Sequence, residues 1–150
     1  MDEGEDSHGA LCGSILTARA APAHRPGRGV PDGRLTIILQ RQRSTSGQGM
    51  MTMVKGGTEL LQDPVAQELL ASRIPARLAY NWTDGTPRVV SIWFHWDGTD
   101  LVMATLPGAP KLKALQSGDR VAITIDTNDP PHHILSIRGT AEVTETQGVV

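Results

Sequence analysis

The stretch VVSIWFHWDGTDLVMAT, residues 89–105, decides the fold. It holds two β-rich runs, VVSIWFHW (89–96) and LVMAT (101–105), joined by Asp97-Gly98-Thr99-Asp100, a segment suited to a tight reversal. Just upstream, ARLAYNW (76–82) is a third run of the same kind, and the intervening TDGTPR carries Asp84-Gly85, a strong hairpin signal. Residues 76–105 therefore read as three consecutive antiparallel strands. All the aromatic residues of the chain, Tyr80, Trp82, Trp93, Phe94 and Trp96, fall inside this block.

Working outward, Asp63-Pro64 is an N-cap and N1 pair, and Val65, Leu69 and Leu70 repeat on one helical face, which predicts a helix over 64–72. Beyond Thr105, the loop of Pro107, Gly108, Ala109 and Pro110 feeds a second short helix over 110–116, stopped by Gly118 and Asp119. RVAITID (120–126) alternates Val121, Ile123 and Ile125 on one face. TNDPPHH is a loop. ILSIRGTAEV (134–143) alternates again, with Leu135, Ile137, Ala141 and Val143 on one side and Gly139 marking a bulge or bend. Five strands, two short helices and no βαβ rhythm make the fold mostly β, a small antiparallel barrel. The chain ends soon after the fifth strand, so the expected barrel is C-terminally incomplete.

Residues 1–52 differ in composition. They begin MDEGEDSHG, hold arginines from Arg19 to Arg43 and no lysine, and offer one apolar run, LTIIL at 35–39. Such a segment buries too little surface to offset its ordering entropy. The expectation is a disordered or mis-annotated extension over 1–52, with a translation start among Met50, Met51 and Met53, and a folded domain over 53–150. A strand at LTIIL is the alternative. Acids in the tail nearly cancel its arginines, so no nucleic-acid partner is expected. The acidic opening fits neither a secretory signal nor a transit peptide. With no apolar stretch long enough to span a bilayer and a lone Cys12, the expected setting is cytoplasmic, with no membrane and no disulfide framework. Asn81-Trp82-Thr83 is then a glycosylation triplet by coincidence.

Lys111 and Lys113 stand in the opening turn of the second helix, where the macrodipole disfavours cations. Either they reach into solvent or something anionic sits there. His95, His132 and His133 with Asp126 and Asp129 do not make a metal site, since adjacent strand histidines face opposite ways and no HExxH is present. Trp93 and Trp96 fall on opposite faces by strand alternation, so at least one packs as ordinary core or interface.

The order helix, GTPRVVSIWFHWDGTDLVMAT, PKLKAL, SGDRVAITID resembles the pyridoxamine 5′-phosphate oxidase-like FMN-binding split barrel over about residues 61–145. The tryptophan-containing strand followed by His95-Trp96-Asp97-Gly98 resembles the branch that uses the deazaflavin coenzyme F-420. The resemblance implies a split barrel and a homodimer with FMN or coenzyme F-420 at its interface. It implies an oxidoreductase moving hydride between that ring and a small conjugated substrate. By position, Thr105 and Lys111, with Lys113 close by, would hold the cofactor phosphate. Backbone groups of Val89, Val90 and Ser91 would bond the ring's polar edge. Trp93 would pack on the cofactor or facing subunit. Arg88 would stand in for a phosphate-binding arginine whose place aligns with Pro87. No catalytic residue carries over; His95 is the nearest side chain suited to proton transfer at neutral pH. A non-catalytic flavin-binding module or a truncated pseudoenzyme is the alternative.

Overall fold

A computed structural model describes residues 12–19, 36–43, 49–115 and 119–147 of the chain. Among the described residues, nine strands and two helices follow in order: β1 Cys12–Arg19, β2 Thr36–Arg43, β3 Met50–Gly56, α1 Pro64–Ala71, β4 Ala76–Asn81, β5 Pro87–Ile92, β6 His95–Trp96, β7 Asp100–Thr105, α2 Pro110–Ala114, β8 Arg120–Asp126 and β9 His133–Gln147. A 3-10 turn, Thr58–Gln62, precedes α1.

The predicted hairpins form. Gly85 and Gly98 take positive φ, +84° and +104°, in the turns where the sequence placed them. Asp84 Oδ1 accepts from the Thr86 N–H at 2.9 Å, and Asp97 Oδ1 accepts from Thr99 and Asp100 at 2.8 and 2.7 Å. These aspartates tie the turn backbone where glycine permits the reversal.

All the described strand pairs are antiparallel, in the order β5-β4-β8-β9-β1-β7-β6, with the β2–β3 hairpin attached to β9. The two ends of this path, β5 and β6, are separated in the chain by Trp93 and Phe94 alone. The sheet must therefore curl enough for a two-residue link to join its end strands. Here the structure corrects the sequence reading of 89–96 as one strand. Its first part pairs with β4 and its last part with β7, on opposite ends of the sheet, and the break at Trp93–Phe94 lets the chain change partner.

Period-two alternation fills the core. Leu78, Ile123, Ile137 and Ile37 form one buried row across β4, β8, β9 and β2. Helix α1 adds Ala66, Leu69 and Leu70 from one face. Gly139 is no bulge, because the β8–β9 register passes through it unbroken.

The largest difference from expectation lies at the N-terminus. β1 sits between β9 and β7 with Leu16 fully buried, and β2 buries Ile37 and Leu39 completely. Arg19 pairs with Thr140 and Thr36 with Arg138, so β1 and β2 run one after the other along the same edge of β9. A domain boundary at 52/53 would cut β3. Two short strands suffice because each drops its apolar residues into an existing sheet face, where the average composition of fifty residues carries no weight. The rest of 1–50 and the expected helix stop at Gly118 lie outside the described residues.

Arg41 of β2 also forms an ion pair with Asp63, whose other carboxylate oxygen accepts the Val65 N–H at 2.9 Å and caps α1. Asp63→Ala is expected to lower stability by about 1–2 kcal/mol. In thermal unfolding, Arg41→Ala in the Asp63→Ala background should add less than it does in the parent, because both substitutions remove the same pair.

Candidate functional site

The site grows from the place where the barrel fails to close. β6 pairs with β7 through His95↔Val102 and Trp96↔Leu101. Past that point β5 turns away to pair with β4, while Met103, Ala104 and Thr105 continue along β7 with β1 on their other side. The outer edge of β5 therefore has no strand partner among the described residues. The seam between that edge and β7 stays unpaired, a split with Trp93 and Phe94 joining β5 to β6 across it.

The candidate residues lie on β5, on the link after it, at the end of β7 and on α2. On β5, Arg88, Val90 and Ile92 share a face with their register partners Tyr80, Leu78 and Ala76, while Val89 and Ser91 point to the other face. Val89 and Trp93 are large apolar side chains left 66% and 67% exposed. Arg88 is exposed and lies over the Trp82 ring, 5.3 Å from its centroid. The expected phosphate contact of Arg88 competes with that stacking.

Half-buried Thr105 ends β7, and a loop with Gly108 at φ +72° turns into α2. Lys111 is half-buried, and burial lowers its pKa below the usual lysine range; Lys113 is exposed. Because α2 is a single turn, both lysines lie in its last turn as much as its first, so the macrodipole argument for an anion loses most of its force. Burial partly desolvates the Lys111 ammonium, a cost that a bound anion would offset.

The sequence reading passed over Leu106, 79% exposed beside Thr105. An apolar residue opening a Pro-Gly loop was its signal. His95 is exposed where β6 pairs with β7. Of Trp93 and Trp96, the second packs partly buried against the core. His132 and His133 serve the fold through their backbones, the former donating to Gln42 Oε1 and the latter to Thr127 Oγ1. Among the described residues no three His, Cys, Asp or Glu lie close enough to share a metal ion.

An antiparallel sheet that curls on itself and parts along one seam is a split β-barrel. A family model described as Pyridoxamine 5'-phosphate oxidase matches residues 62–149, more than half of the chain and every residue of the split named above. The chain belongs to the pyridoxamine 5′-phosphate oxidase family, whose members are of flavin-binding, oxidoreductase type. No curated protein and no solved structure matches it. Among the described residues no helix is long and apolar enough to cross a membrane.

Proposed function

We propose that this chain is a cytoplasmic oxidoreductase that binds FMN or coenzyme F-420 in the split, between two copies of itself. It would move hydride between that ring and a small conjugated substrate. The observations that support the reading are an unpaired β5 edge and, after β7, a partly desolvated lysine, both within the matched segment. The residues present suit such a cofactor. Along the outer edge of β5, Val89 and Ser91 turn their N–H and C=O groups away from β4 and offer donors and acceptors to a ring edge, while Val90 between them is bonded to Leu78. Exposed Val89 and Trp93 supply apolar cover for the ring or for the facing copy. Thr105 and Lys111, with Lys113 nearby, give a hydroxyl and two ammonium groups for a phosphate.

When bound, the cofactor supplies the redox chemistry; the protein's residues hold the ring, keep water off it and fix the phosphate. The Trp93–Gly98 segment supports coenzyme F-420 over FMN. The test is titration of the full chain with each cofactor separately, followed by fluorescence. Saturable binding of one of them is expected, with Trp93 emission quenched. Failure of the folded chain to bind either would remove the oxidoreductase reading. Binding without turnover on any conjugated substrate would make the protein a flavin-binding module.

A further inference from the structure

The β3 strand presents a surface that the cofactor reading does not use. Among the described residues it hydrogen-bonds only to β2, so its other edge carries unpaired backbone groups. Its residues Met50, Met51, Met53 and Val54 are all exposed, Met50 and Met53 by 67% and 65%, and no charge interrupts them before Lys55. Soluble chains normally protect a flat apolar edge with lysine, proline or a bulge. This one has none over 50–54.

The order of the residues says what fits. MMTMV is close to a palindrome about Thr52. An antiparallel pair of identical strands related by a two-fold axis through Thr52 sets Met51 opposite Met53 on one face. On the other it sets Met50 opposite Val54 and Thr52 opposite itself. Every apolar residue then meets an apolar residue, and threonine meets threonine, a favourable cross-strand pair. Lys55 falls opposite Gly49, so the two lysines stay far apart. Val54 shares its face with buried Leu39, its partner on β2, so the pairing extends the core face of one copy onto the next. An isologous contact of this kind is self-limiting.

We infer that β3 is a self-association edge whose partner is β3 of a second copy, paired in the register centred on Thr52. This contact is separate from the one proposed around the cofactor and stands or falls without it.

The test is register-specific cross-linking of the full chain in a Cys12→Ser background under mild oxidation. Residues directly opposite across antiparallel strands have Cα atoms about 4.5–5.5 Å apart, within disulfide range. Thr52→Cys should therefore give a covalent dimer. Met51→Cys places its thiol diagonally from its own copy, about 7–8 Å away, and should give little. Met53→Lys should lower the mass seen in sedimentation by the share this contact contributes. Equal cross-linking at both positions, or none at either, overturns the inference. So does an unchanged mass with a lower melting temperature in Met53→Lys, which would put another segment of the same chain on the strand.

Discussion

Leu16→Asp is expected to leave the chain unfolded at room temperature. Leu16 is fully buried in β1, between β9 and β7. Placing an unpaired carboxylate there costs several kcal/mol, while the total stability of a domain is about 5–15 kcal/mol. The milder Leu16→Ala should cost about 2–5 kcal/mol and remain folded. Circular dichroism with urea unfolding reads both. A Leu16→Asp chain as stable as the parent would mean that β1 is not part of the sheet. By the same argument, removing residues 1–49 strips β9 and β7 of their shared partner and should produce an aggregating species. A start at Met50 would therefore forfeit two buried strands.

Lys111→Glu is expected to weaken binding of FMN or coenzyme F-420 by about 100-fold, or about 2.7 kcal/mol. The substitution removes a charge-assisted contact and sets a carboxylate against a phosphate. Lys113→Glu should cost less, because Lys113 is exposed and screened by solvent. The pH dependence follows from burial. Desolvation lowers the Lys111 pKa, so its ammonium is lost, as pH rises, earlier than for a free lysine. Cofactor affinity should fall in that alkaline range, and the Lys111→Glu variant should not show the fall.

How much of this was legible in the residues depended on whether the cause was local. Asp84-Gly85, Asp97-Gly98 and the Asp63-Pro64 cap are local chemistry, and each formed where it was read. Alternation in Val121, Ile123 and Ile125 is likewise local, and these residues are buried as expected. The break at Trp93–Phe94 was not legible, because VVSIWFHW has strand character throughout and only the demand of two different partners interrupts it. β1 and β2 were hidden for a related reason. Their stability comes from slots beside β9 and β7, far away in sequence, and not from their own composition. The site residues named from resemblance fall on β5, the Trp93 link, the end of β7 and α2, while the cation argument that led to Lys111 depended on a longer helix than the single turn of α2.

The most direct test of the account is to compare the affinity of the full chain for FMN and for riboflavin, which lacks the phosphate. Coenzyme F-420 should be compared in the same way with its phosphate-free deazaflavin core. The account predicts that the phosphorylated member of the preferred pair binds at least tenfold more tightly, about 1.4 kcal/mol. Equal affinity within both pairs would contradict a phosphate site at Thr105 and Lys111.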